Sequence, residues 1–348
     1  MRYIKTEQLK SGEILAKDLV DSRGNVLLKA SNDMVISDHL ISRLKERNIR
    51  GIYINDQMSD GIEIEESISG KMRYMAIDAL EKKDVEQTQV LAKSIVEDFK
   101  STEIDLNRIV GETSYYERAI NICDLCLSLG KRLEMNEEEL SKLVASALLS
   151  DIGLILNEQE KEKILDDELK NLKKLLLQLP ISETYPILGR YAVSQAYADP
   201  IIIHSVYYHK ENEDGTGIVQ NFYKKMGINT NCDIRDSAKI IHVCSDYVDA
   251  LIKEDDFIKA RNKIEQGIID NLYNYNIAKT FLRFIPIYPI GTVVKLSNGE
   301  EAIVTKNNEG YPLMPVVRLS TGEEVNLTQT LNVVIDDVYV PEDINKRL

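Results

Sequence analysis

Leu140-Ser141-Lys142-Leu143-Val144-Ala145-Ser146-Ala147-Leu148-Leu149-Ser150-Asp151-Ile152-Gly153 is the stretch on which the reading of this chain turns. It is preceded by Asn136 and then Glu137, Glu138 and Glu139, a capping side chain and first-turn carboxylates that suit the positive end of a helix. From that start Leu140, Val144, Ala147 and Leu148 share one face at helical spacing, and the next position of the same stripe is Asp151. A carboxylate stands where the periodicity asks for an apolar group. Buried there, it needs a cation or hydrogen-bond donors.

A second helix repeats the feature. Over Ile240 to Leu251, His242, Asp246 and Asp249 fall at i, i+4 and i+7, while Ile240, Val243, Tyr247 and Leu251 line the other side. Read by itself, such a polar face is usually solvated. Between the two helices lies His209-Lys210-Glu211-Asn212-Glu213-Asp214-Gly215-Thr216-Gly217, whose glycines and charged groups make a loop that closes over an anion or simply turns the chain.

The surrounding 348 residues bound what these features can mean. A share of 43% hydrophobic and 29% charged residues is that of an ordinary globular protein, and the length argues for more than one domain. Against 43 Lys and Arg stand 57 Asp and Glu, and the net charge of -14 disfavours DNA, RNA and anionic membrane surfaces as partners. The start, Met1-Arg2-Tyr3-Ile4-Lys5, lacks the apolar core of a signal peptide and no apolar run reaches membrane-span length, so a cytoplasmic location is expected. Four cysteines are too few for a disulfide framework. Cys123 and Cys126 have the C-x-x-C spacing, but the stripe Tyr116, Ile120, Cys123, Leu127 makes Cys123 a core residue and Cys126 a flank.

Four segments are expected. Residues 1–56 form a small α+β module, with strands from Ile14 to Val20 and Val26 to Leu28 about a turn at Arg23-Gly24-Asn25, a helix capped by Ser37, and a strand at Gly51-Ile52-Tyr53-Ile54. Residues 57–70 read as an acidic, exposed linker, and 71–285 as a helical domain. Residues 286–348 make a β module with a two-residue hairpin turn at Asn298-Gly299. The fold class is mainly α, with β-containing modules on either side.

Ala147-Leu148-Leu149-Ser150-Asp151-Ile152-Gly153 resembles the Ala-Leu-Leu-His-Asp-Ile-Gly signature of the HD-GYP branch of the HD phosphohydrolases. His209-Lys210-Glu211 with Asp214-Gly215-Thr216-Gly217 is similar to that branch's His-His-Glu and Asp-Gly-Ser/Thr-Gly-Tyr-Pro stretch, and Val243 to Leu251 to its Asp-x-x-Asp-Ala-Leu helix. Leu9 to Ile54 and Tyr288 to Thr292 look like flanks seen in such proteins. The resemblance implies an HD-type helical domain holding two or three iron or manganese ions, whose bridging hydroxide attacks phosphorus in cyclic di-GMP.

The motif residues depart from that pattern at nearly every imidazole. Glu117, Ser150, Tyr185 and Lys210 stand where the family has histidines, Leu154 where it has a phosphate-holding lysine, and Thr113, beside Glu112, where it has an acidic ligand. Ile218-Val219 replaces Tyr-Pro, and Asp255-Asp256-Phe257-Ile258 replaces Arg-Pro-Tyr-Arg. His39, a surface helix residue, His204 and His242 match no ligand position, and Asp249 is assigned a hydrogen bond between helices. Neutral serine and tyrosine are poor ligands for divalent iron or manganese, and an ammonium at a ligand position repels the metal.

No cofactor and no catalytic residue is therefore expected. Asp151, His209, Asp246 and Glu117 are the ligands if one ion is kept, and Asp214 to Gly217 the candidate ligand loop. The expected function is a catalytically inactive binding or scaffold protein in bacterial cyclic-dinucleotide signalling. Its partner would be a protein or a second copy, with weak or no cyclic di-GMP binding. The alternatives are a metal-dependent cyclic di-GMP phosphodiesterase with an altered site and a purely structural dimerisation module. Lys210 is expected to lie between Asp151 and Asp246 as their counter-ion.

Overall fold

The computed structural model describes residues 1–20, 26–31, 34–64, 66–99, 106, 114–167, 169–228, 233–330 and 332–338. The turn expected at Arg23-Gly24-Asn25 and the positions Glu112 and Thr113 lie outside them. The chain gathers into two compact units. They do not follow the four segments in order, because the first unit draws on both ends of the chain, mainly Met1–Glu65 and Arg283–Leu348.

At the N-terminal end of this unit, β1 (Arg2–Lys5) and β2 (Ile14–Leu15) flank β5 (Gly51–Asn55) in an antiparallel sheet, while β3 (Leu19–Val20) pairs with β4 (Val26–Leu28). The period of two sends Ile4, Ile52 and Ile54 inward, where α1 (Asp38–Glu46) covers them with Ile41 and Leu44. As its sequence predicts, α1 is capped by Ser37, whose Oγ accepts the Leu40 amide at 3.3 Å.

The C-terminal strands β6 (Val293–Leu296), β7 (Glu301–Lys306), β8 (Val316–Leu319), β9 (Glu324–Asn326) and β10 (Ile335–Val338) form one antiparallel sheet ordered β10-β6-β7-β8-β9. The β6–β7 hairpin is wider than the expected two-residue turn. Leu296 pairs with Glu300, leaving three residues in the loop, and only Gly299 takes a positive φ (88°), the left-handed position of such loops. One face of the sheet buries Val294, Ala302 and Val304. Against Val293 and Ile303 on the other pack Ile62, Met58 and Ile64, so this part of the acidic stretch is not an exposed linker. Alternate apolar residues within it supply the reason.

The second unit, Glu66–Ile104 with Thr113–Leu282, is helical. It comprises α2 (Gly70–Glu81), α3 (Val85–Asp98), α4 (Tyr115–Arg132), α5 (Glu137–Leu149), α6 (Glu158–Asp167), α7 (Lys173–Gln178), α8 (Tyr185–Gln195), α9 (Pro200–Tyr208), α10 (Ile218–Lys225), α11 (Asp236–Glu254) and α12 (Phe257–Ile269), with α13 (Tyr275–Phe284) at its end. The run Ala119 to Gly130 of α4 is buried on every side, as are Leu143 to Leu149 of α5, so these helices form the centre with α11. Asn136 caps α5 in a capping box with Glu139, as read from the sequence. Cys123 is core, and so is Cys126. Cys126 is completely buried, with Cys244 of α11 beside it.

Candidate functional site

Asp151 terminates α5 at the start of the short 3-10 turn Ile152–Leu154 and is 2% exposed. The turn lies close against α8. A side chain at Gly153 would collide with the Tyr185 carbonyl, which accounts for the glycine after Ile152. Besides Tyr273, which precedes α13, four other segments bring polar side chains to Asp151 or its neighbours. They are the first turn of α4, the start of α8, the residues His209 and Lys210 just past α9, and the polar face of α11.

The counter-ion of Asp151 is Arg118, a residue absent from the sequence-level site. Its Nη1 donates to Asp151 Oδ2, while Nε and Nη2 donate to the two oxygens of Asp249 at 2.7 and 2.9 Å. This is a fork-to-carboxylate geometry of the kind arginine makes well. Asp249 thus makes the expected hydrogen bond between helices, and its partner makes that bond an ion pair as well. Lys210 Nζ donates to Asp246 Oδ1 at 2.6 Å and to Ser245 Oγ at 2.8 Å and lies 3.6 Å from Asp249 Oδ2. The expectation for Lys210 holds for Asp246 and not for Asp151, because Arg118 reaches Asp151 first.

Both Asp246 oxygens are engaged, since Oδ2 accepts from the Tyr273 hydroxyl at 2.8 Å and lies 3.3 Å from His242 Nε2. The His242 ring packs edge-on against Tyr273 and is buried, so the polar face of α11 is covered at His242, while Asp246 and Asp249 keep part of their surface open. Burial alone would raise the Asp246 pKa, but Lys210 and His242 outweigh it and hold the carboxyl well below the usual range. Burial also opposes the charge on Asp249, and again the cations win, with Arg118 and Lys210 lowering its pKa.

His209 is completely buried. Nδ1 lies 2.8 Å from the Val206 carbonyl and must carry the hydrogen there, leaving Nε2 to accept from the Tyr185 hydroxyl at 3.3 Å. Asp151 Oδ1 is 3.1 Å from the same nitrogen. Burial, then the neighbouring Lys210 and Arg118 charges, lowers the imidazole pKa to about 3, so the ring is neutral at pH 7. Burial pushes the Tyr185 hydroxyl up, so it stays protonated and able to donate.

Other expected positions serve elsewhere. Glu117 closes the α4 capping box, with Oε2 accepting the Ser114 hydroxyl at 2.7 Å and the Ser114 amide at 3.3 Å, and it is not part of the cluster. Ser150 Oγ donates to the Ala147 carbonyl at 2.9 Å, and Leu154 is 40% exposed. In the loop, Asp214 Oδ1 accepts from the Thr216 amide at 2.9 Å and from its hydroxyl at 2.6 Å. Thr216 and Gly217 line a cavity of about 690 Å³ together with Lys210, His242 and Asp246. The helix terminus beside it is already filled: the buried Glu211 carboxylate accepts the Val219 and Gln220 amides at 2.6 and 3.2 Å. Burial pushes the Glu211 pKa up to about 7.

The residues present do not fit the iron or manganese cluster that the resemblance implies. Asp246 has both oxygens engaged, Asp151 Oδ2 is held by Arg118, Glu117 is turned into a cap, and two cationic side chains stand between the carboxylates. Among the described residues, no three His, Cys, Asp or Glu side chains are placed to hold a metal ion. The cluster is an ion network of three carboxylates and two cations. It ties α4, α11, the end of α5 and the segment after α9 to one another.

No family model matches the chain. Over 200 residues it is 26% identical to the cyclic di-GMP phosphodiesterase PdeB of Borreliella burgdorferi, a match covering 55% of this chain and 48% of that protein. The chain thus spans about half the length of the curated relative it matches. Among solved structures it is similar to Bd1817, an HDG"Y"P protein from Bdellovibrio bacteriovorus (TM-score 0.46, 16% identity, 80% of this chain and 97% of that one). It is also similar to the HD domain of the L. monocytogenes phosphodiesterase PgpH (TM-score 0.31, 12% identity, 48% and 87%). Among the described residues no helix is long and apolar enough to cross a membrane.

Proposed function

We propose that this chain, similar in its motifs to HD-GYP proteins and in sequence to a cyclic di-GMP phosphodiesterase, is a non-catalytic member of that kind of signalling system and works by binding. The observation that carries the reading is the position of Arg118 and Lys210, whose charged ends lie among Asp151, Asp246 and Asp249. A metal-bridging nucleophile requires cations at that point to be metal ions with open positions, and fixed guanidinium and ammonium groups supply neither Lewis acidity nor an exchangeable water.

The binding partner in this reading is a protein or a second copy. Cyclic di-GMP binds weakly, with a dissociation constant above about 10 µM. Leu154 provides no charge for a phosphate, Asp255 and Asp256 are acidic, and the net charge of -14 gives no long-range attraction to an anion. The deciding experiment incubates the full chain with cyclic di-GMP and added manganese or ferrous iron. No linear dinucleotide and no GMP above the uncatalysed background is the expected result. Multiple turnovers that vanish in an Asp151→Asn variant would establish the phosphodiesterase instead.

A further inference from the structure

We draw no further inference here: the strongest candidate, the apolar loop between β7 and β8 on which Tyr311, Leu313 and Met314 stand exposed, carries none, because nothing in the structure shows what covers it.

Discussion

The guanidinium of Arg118 grips Asp249 through two parallel hydrogen bonds, Nε to Oδ1 at 2.7 Å and Nη2 to Oδ2 at 2.9 Å, and turns its remaining edge to Asp151. One side chain from the first turn of α4 therefore neutralises carboxylates from two other segments. Because Asp151 is 2% exposed, its charge has no alternative in water.

Arg118→Met should cost about 3 kcal/mol of stability, the lower end for breaking a buried pair because the Asp249 side chain is 40% exposed. Arg118→Lys should recover only part of it, since an ammonium cannot serve both carboxylates in the fork geometry. Urea denaturation of the two variants measures the difference.

Lys210→Met should cost about 2 kcal/mol, less than the arginine because neither Lys210 nor Asp246 is fully enclosed. In double-mutant cycles Lys210 should couple strongly to Asp246→Asn and by less than about 0.5 kcal/mol to Asp151→Asn. Equal coupling to both would mean that the lysine bridges the two acids after all. Lys210→His alone should not confer hydrolysis of cyclic di-GMP, because Arg118 still holds Asp151 and Glu117 still caps α4.

The pH dependence follows from His209. Its pKa is lowered on folding from 6.5 to about 3, chiefly by burial. Between those values the unfolded chain binds a proton that the folded chain does not. The contribution of His209 to stability is therefore complete above about pH 6.5 and is lost as the pH falls toward 3. Asp246, depressed by Lys210 and His242 against the opposing effect of burial, acts in the same direction at lower pH. The melting temperature should drop on acidification from pH 7, and in His209→Gln the drop should begin only in the carboxylate range. A melting temperature that instead falls between pH 6 and 8 would show that His209 keeps a proton against Asp151.

How much of this was legible in the sequence varies with the range of the interaction. The α5 stripe ending in Asp151 and the Asn136 and Ser37 caps are patterns within a few residues, and the Gly51 to Ile54 strand shows its alternation locally although its partners, Arg2 to Lys5 and Ile14 to Leu15, are distant in sequence. The polar face of α11 was visible, but not that Tyr273 and the segment after α9 supply partners to it. Arg118 was missed although charge balance asks for it, because three acids, Asp151, Asp246 and Asp249, cannot be compensated by Lys210 alone. The Ser114-Tyr115-Tyr116-Glu117 spacing was itself a capping-box signature, and it would have removed Glu117 from the ligand set. Ile62 against Val293 and Ile303, and Arg318 donating to the Met58 and Asp60 carbonyls, join the two chain ends in one unit, pairings that no local pattern encodes.

The most direct measurement is the metal content of the full chain after exposure to excess manganese or ferrous iron under anaerobic conditions, followed by desalting and elemental analysis. An ion network centred on Arg118 and Lys210 predicts far less than one metal per chain, and the same low value in Arg118→Met, since Lys210 and the Glu117 cap remain. Two metals per chain that survive desalting and are lost in Asp151→Asn would contradict it.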